Sequence, residues 1–118
     1  MACTNLPTAL DICRVRGDTF PFEFNVKDEN GVAINITGFS FLLTVDPSSE
    51  PTDALGNLFQ LTGAIVSGPG GVVRFTLSTG QADQTPSEYF YDLQMTDLTA
   101  AIRTIAKGGW NVVQDITK

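Results

Sequence analysis

A chain of 118 residues with a formal charge of −6 is long enough for one domain, and it lacks the clustered Lys and Arg of a nucleic-acid-binding surface. The absence of histidine excludes histidine-based acid–base catalysis, and with only two cysteines we expect no zinc or transition-metal site. No signal peptide and no apolar run of membrane-spanning length is visible. We therefore expect no membrane partner and a protein that folds in the cytosol with reduced thiols, with a Cys3–Cys13 disulfide as the open alternative.

The N-terminal arm, residues 1–9, shows no periodic pattern of apolar residues. We expect this arm to fray or to lie on a neighbouring molecule. Leu10, Ile12 and Val15 then indicate a short first strand, which ends at the turn residues Arg16-Gly17-Asp18.

Two segments of clear alternation follow and predict two further strands. Residues 20–27 place four large apolar side chains on one face, and Pro21 favours a sheet edge at the start of this strand. The dipeptide Asn30-Gly31 is a strong hairpin signal, which predicts a return strand over residues 32–36. Residues 39–45 alternate again.

The segment 46–56 is rich in Pro, Ser, Asp and Glu, a composition that predicts a solvated loop. Loops of this length are uncommon in compact domains unless they are functional or mobile. The acids of this segment lack the regular spacing of a calcium-binding loop, so we predict no metal there. We expect the loop and the N-terminal arm to contact partners, through the candidate residues Asp46, Pro47, Glu50, Pro51, Asp53, Leu6 and Pro7.

Three glycines within residues 67–71 predict a hairpin that joins a strand over residues 58–66 to a strand over residues 72–77. The next segment, residues 78–86, is too polar and too short for more than one turn of helix.

The clearest strand lies over residues 88–97, where large apolar residues recur at every second position and leave mostly polar residues on the other face. A weaker strand over residues 101–105 follows. Gly108-Gly109 then predicts a bend, and residues 110–116 predict the last strand.

This organisation predicts an all-β protein, an antiparallel and immunoglobulin-like β-sandwich of about eight short strands with no long helix. The single domain is expected to span residues 10–118. Glu88 and Asp92 share one strand face and are best explained as its solvated side, and Cys13 has no histidine to activate it. We therefore predict no catalytic residue, no cofactor and no enzyme activity.

Five short motifs occur in a characteristic order along the chain. They are Arg16-Gly17-Asp18-Thr19-Phe20, Asn30-Gly31, Ile36-Thr37-Gly38, Tyr89-Phe90-Tyr91-Asp92-Leu93 and Thr104-Ile105-Ala106-Lys107-Gly108. This order resembles the N-terminal domain of the baseplate upper protein of tailed bacteriophages and the similar β-sandwich modules of phage tail, fibre and head accessory proteins. The similarity runs from about Ile12 to Ile116, with Pro86-Ser87-Glu88 where the family usually has a glycine.

The resemblance implies a structural component of a tailed bacteriophage virion, synthesised and folded in the host bacterial cytoplasm. It would mediate subunit attachment in the tail, baseplate or fibre-attachment region, as a homo-oligomer or in a symmetric assembly with other virion proteins. No nucleic acid and no small-molecule substrate is expected. The alternative within this class is a cement or decoration protein on the phage capsid.

An alternative of another class is a carbohydrate-binding module. In that case Tyr89, Phe90, Tyr91 or Trp110 would present a ring to a sugar, with Phe90 and Trp110 as the candidate aromatic surface. The exposure of Trp110 distinguishes this alternative from the structural role.

Overall fold

A computed structural model describes residues 8–28, 30–48, 56–114 and 116 of the chain. In chain order, its elements are β1 (Thr8–Ala9), β2 (Ile12–Val15), β3 (Phe22–Asn25), β4 (Ser40–Asp46), β5 (Phe59–Thr62), β6 (Ala64–Ser67), β7 (Val72–Phe75), α1 (Thr79–Ala82), β8 (Ser87–Thr96) and β9 (Ile102–Val113). The prediction of an all-β fold is confirmed, since the only helix in these ranges is the single turn α1.

The strands form a larger sheet and a smaller sheet. The larger sheet has the order β1-β9-β8-β4-β5, with β2 next to β1 on the same side of β9. The smaller sheet has the order β3-β7-β6. β1 and β2 run parallel to β9, whereas the other strand pairs are antiparallel. An immunoglobulin-like connection pattern stays a prediction.

β8 is the central strand of the larger sheet, paired with β4 on one side and β9 on the other. Its apolar residues Tyr89, Tyr91, Leu93 and Met95 are all buried, and the residues between them are partly exposed. The alternation in the sequence therefore predicts this strand correctly, because a period of two places one set of side chains in the core and the other on the outer face.

The core lies between the inner faces of the two sheets. Trp110 of β9 is only 1% exposed, and its ring centroid lies 5.8 Å from that of Phe22 in the smaller sheet. Phe59 and Tyr91 approach the same indole edge-on, at 5.8 and 6.3 Å. The largest fully buried side chains are Trp110, Phe75, Ile36, Leu43, Leu93, Val45 and Val73.

The chain passes from the larger to the smaller sheet at Gly63, between β5 and β6. A Cβ atom at this position would lie 2.6 Å from Val73 Cγ2 and 2.9 Å from Phe41 Cβ. The prediction of one strand over residues 58–66 is therefore wrong. Its apolar run belongs to two strands in different sheets, joined by a glycine that allows a sharp corner.

β9 continues without a break through Gly108 and Gly109, so the predicted bend there is wrong. Both glycines lie beside the junction of β1 and β2, and a Cβ atom at Gly108 would clash with the carbonyl oxygen of Leu10. These glycines therefore allow the N-terminal strands to approach β9 closely.

Three smaller predictions also need correction. Thr8 and Ala9, the last residues of the predicted arm, pair with β9. Phe20 does not join the core, since 77% of its surface is exposed. The Asn30-Gly31 turn is present, but the return segment forms only an isolated bridge between Lys27 and Ala33 instead of a strand over residues 32–36.

Candidate functional site

A pocket of about 580 Å³ opens on the outer face of the larger sheet. Residues from five separate parts of the chain line it, and most of them are polar. Its charged and aromatic lining residues are Asp11, Asp46, Glu88, Asp92, Lys107, Phe90 and Tyr91.

The register of three strands places the residues of this pocket. Phe90 of β8 lies opposite Asp46 of β4 on one side and opposite Gly109 of β9 on the other. Two residues further along the same face, Asp92 lies opposite Lys107. Because Gly109 has no side chain, the outer face has a depression beside the ring of Phe90.

Asp46 ends β4 and is 7% exposed, so the prediction that it begins a solvated loop is wrong. Its Oδ1 accepts a hydrogen bond from the backbone N–H of Ser48 at 2.8 Å. Its Oδ2 is buried and has no hydrogen-bond partner among the described groups. A buried carboxylate oxygen without a donor costs free energy, and a ligand that supplied a donor would remove that cost.

The N-terminal segment fixes the wall of the pocket next to β9. The Tyr91 hydroxyl donates a hydrogen bond to the carbonyl oxygen of Leu10 at 2.5 Å, and the Gly109 N–H donates to Asp11 Oδ1 at 2.8 Å. Burial, together with the nearby charge of Asp11, raises the pKa of Tyr91 to about 12. The phenol therefore stays protonated at neutral pH and remains a donor to Leu10.

The electrostatic character of the pocket is acidic, since its described lining contains four carboxylates and one lysine. Burial raises the pKa of Asp92, and the nearby ammonium group of Lys107 opposes this shift. No group of three His, Cys, Asp or Glu side chains suited to a metal ion exists in the described part of the chain. The pocket offers hydrogen-bond acceptors and an aromatic ring.

The predicted contact residues have different outcomes. Asp46 and the half-buried Phe90 meet in the pocket, and Pro47 is exposed beside them. The prediction that Trp110 forms part of an aromatic surface is wrong, because its indole is packed between the sheets. The remaining candidates, Leu6, Pro7, Glu50, Pro51 and Asp53, lie outside the described residues.

Sequence reasoning missed the roles of Asp11, Lys107 and Gly109. Asp11 comes to the pocket because the N-terminal segment pairs in parallel with β9, a long-range contact that leaves no local pattern. Lys107 and Gly109 come to it through the register of β9 with β8, at the point where the sequence predicts a bend. One signal was available: Phe90 is the single aromatic residue at an outward position of an otherwise regular strand.

A second feature is the open edge of the smaller sheet, formed by β6 and called here the β6 edge (Ala64–Ser67). β6 pairs only with β7 among the described strands. Ile65 and Val66 are 37% and 49% exposed, and no charged residue occurs from Gly63 to Gly71. An uncharged apolar edge strand is a surface on which another strand can add.

In the ranges that the structure covers, no helix has the length and apolar character needed to cross a bilayer. Comparison with known proteins finds no family model and no curated protein that matches the chain.

Proposed function

We propose that this chain is a non-enzymatic structural component of a tailed bacteriophage virion. In this role it attaches neighbouring subunits to one another in the tail, baseplate or fibre-attachment region. The ordered motifs of the sequence support the proposal, and a two-sheet fold with open edges is compatible with it.

The observation that carries an attachment role is the β6 edge. A chain of net charge −6 repels its copies and other acidic proteins over most of its surface, and the β6 edge lies in a segment that contributes no charge. Free backbone groups along such an edge give affinity through added-strand hydrogen bonds, and exposed Ile65 and Val66 add apolar contact. Repetition of one modest contact by symmetry gives a stable assembly.

Quantitative mass spectrometry of purified particles tests this proposal. Tailed phage particles are induced from the strain whose DNA encodes the chain, banded by density and digested. We expect peptides of the chain to remain with the particles after high-salt washing. A chain found only in the soluble fraction of the lysate, in an infection that yields normal particles, would contradict a structural role.

The same measurement distinguishes the two positions in the virion. Tail or baseplate proteins occur in small multiples of the rotational symmetry of the tail, whereas a cement or decoration protein occurs in as many copies as the capsid lattice has sites. Partial disruption that separates heads from tails gives an independent answer, since the chain should remain with the tail fraction.

The carbohydrate-binding alternative depended on an exposed Trp110. That indole is 1% exposed, so it cannot stack on a sugar without opening the core. Phe90 is the only candidate ring that remains, and it lies among carboxylates in the pocket. We therefore do not propose a lectin function.

A further inference from the structure

We infer that the pocket on the outer face of the larger sheet binds the guanidinium group of an arginine side chain presented by a partner protein. This site is separate from the β6 edge, which belongs to the other sheet. Three features of the pocket support this assignment, namely the hydrogen-bonding state of Asp46, the charge of the lining and the position of Phe90.

One carboxylate oxygen of Asp46 has no hydrogen-bond donor within the described part of the chain. Asp46 lines the pocket and is more than nine-tenths buried. Its Oδ1 accepts a hydrogen bond from the Ser48 N–H, and its Oδ2 is buried without a donor. Such an oxygen is satisfied by an N–H or O–H group that enters the pocket. A charged donor would form the stronger hydrogen bond with a carboxylate.

The lining of the pocket is acidic. Asp11, Glu88 and Asp92 add to the negative potential around Asp46. Lys107, the one cation among the described lining residues, lies on β9 and is separated from Asp46 by the whole of β8. No ion pair within 4 Å joins Lys107 to an acid of the described chain. The pocket therefore favours a cationic ligand and disfavours an anionic one.

The arrangement of the pocket suits an organic cation better than a metal ion. The carboxylates of the pocket do not converge as a metal-binding group. A guanidinium group suits separated acceptors, since it has five N–H donors in a planar fork, and its flat face stacks on aromatic rings. Phe90 lies directly across from Asp46 in the strand register, so one guanidinium can contact both.

The volume of the pocket indicates the size of the ligand. About 580 Å³ exceeds the space that a guanidinium group alone would fill, and it falls within the usual range of ligand pockets. An arginine side chain with its aliphatic stem and part of the adjacent backbone fits this volume. We therefore assign the guanidinium to a peptide segment in preference to a free small molecule.

Peptide titration followed by ¹H–¹⁵N NMR tests the inference. The probes are acetyl-Gly-Arg-Gly-amide, the same peptide with neutral citrulline in place of arginine, and ethylguanidinium chloride. With the arginine peptide we expect saturable shifts of the Phe90, Asp92 and Gly109 amides, and at least about tenfold weaker binding of the citrulline peptide. Equal binding of the arginine and citrulline peptides, or no saturable shift, would overturn the inference.

Ethylguanidinium distinguishes the two sources of the cation. We expect it to shift the same amides with lower affinity than the arginine peptide, because it lacks the contacts of the peptide backbone. Equal affinities would overturn the assignment to a peptide segment.

A pair of charge-matched variants distinguishes a specific site from general attraction to an acidic protein. Asp46→Asn keeps the size of the side chain and an acceptor for Ser48, and we expect it to weaken arginine-peptide binding about tenfold. Glu23→Gln removes the same charge from the smaller sheet, beside Arg74, and should leave the affinity within about twofold. Equal losses of affinity in both variants would mean that the peptide binds only through attraction to the net charge of the protein.

Phe90→Leu provides a second variant in case Asp46→Asn does not fold. It removes the aromatic face and keeps an apolar side chain, and we expect weaker binding of the arginine peptide with little change in the response to salt. Unchanged affinity in this variant would contradict the stacking geometry. These outcomes are independent of particle association, so the pocket and the virion role can fail separately.

Discussion

Tyr91 shows how one hydroxyl group joins distant parts of the sequence. Its ring is in the core and its hydroxyl donates to the carbonyl oxygen of Leu10, which lies between the two parallel N-terminal strands. We predict that Tyr91→Phe lowers the free energy of unfolding by about 0.5–1.5 kcal/mol, because the partly buried hydrogen bond to Leu10 is lost. Urea denaturation measures this change.

Tyr89→Phe is the matched control for that prediction. The Tyr89 hydroxyl donates to the carbonyl of Thr85, which is only four residues away. We expect a similar loss of stability, but only the Tyr91 variant should speed hydrogen exchange at the amides of Leu10 and of β2. Faster exchange in both variants would show that Tyr91 does not specifically hold the N-terminal strands.

Ala100 carries backbone strain in the turn between β8 and β9. Its φ is 65°, a value that favours glycine over residues with a side chain. We predict that Ala100→Gly raises the free energy of unfolding by about 0.5–1 kcal/mol, because relief of this strain exceeds the added freedom of the unfolded chain. The neighbouring Ala101→Gly has no such strain to relieve and should lower the stability, as measured in the same denaturation series.

Asp97 stabilises the same turn through its charge. The Thr99 hydroxyl, the Thr99 N–H and the Ala101 N–H all donate to Asp97 Oδ1, and these hydrogen bonds lower the pKa of the carboxyl group. Since the folded pKa lies below the unfolded one, the contribution is present above the unfolded pKa and is lost as the pH falls through the folded pKa. We predict that Asp97→Asn is less stable than the parent at neutral pH, and that the difference disappears in acid.

Asp92 provides the opposite case in the same pH series. Burial raises its pKa, so the folded protein binds this proton more tightly than the unfolded chain does. The parent protein therefore loses stability as the pH rises through the folded pKa, and Asp92→Asn should be the more stable protein above that pH. Thermal unfolding from acid to neutral pH measures both variants. Parallel pH profiles for the two would refute the assigned directions.

At the scale of elements, the attachment of β1 and β2 to β9 depends on Gly108. A methyl group there would clash with the carbonyl oxygen of Leu10, and backbone atoms cannot rotate away as a flexible side chain can. We predict that Gly108→Ala costs about 2 kcal/mol or more and exposes the N-terminal strands to hydrogen exchange. Urea denaturation and exchange by NMR measure the two effects.

Gly80→Ala is the control for Gly108→Ala. Gly80 lies in α1, and a Cβ atom there would meet no other atom within 4 Å. Alanine has the higher helix propensity, so this variant should be neutral or more stable by up to about 1 kcal/mol. Similar losses in both variants would mean that the close approach of Leu10 is not what Gly108 protects.

An element can be predicted from the sequence when the residues that determine it lie close together in the chain. β8 was predictable from sequence because its inner and outer residues alternate over the full length of the strand. The separation of β5 from β6 and the continuity of β9 could not be predicted in this way. The reason is that Gly63 and Gly108 are required by close contacts with residues that are distant in sequence. A glycine in a strand pattern is typical of a turn, of a corner and of a close backbone contact, and the local sequence does not distinguish these three.

At the scale of the whole molecule, the pocket could not be predicted because it also depends on contacts between residues that are distant in sequence. Asp46 and Phe90 could be proposed as contact residues from local composition and alternation. Their meeting with Asp11 depends on sheet order, which no local signal encodes. An aromatic residue at an outward strand position was the best available indication of this surface.

The uncharged β6 edge should allow the protein to associate with itself. The chain carries a net charge of −6, so repulsion opposes association at low salt, and screening in about 0.5 M NaCl should strengthen any contact made by the uncharged edge. Val66→Lys places a charge on this edge and should abolish the salt-induced association.

Val113→Lys is the control for Val66→Lys. Val113 is matched to Val66 in exposure, at 48% against 49%, but it lies on β9, which pairs on both sides. Sedimentation velocity of the three proteins should show association of the parent and of Val113→Lys only. Equal association of all three would locate the contact elsewhere, because a lysine on an edge strand blocks the approach of a second strand.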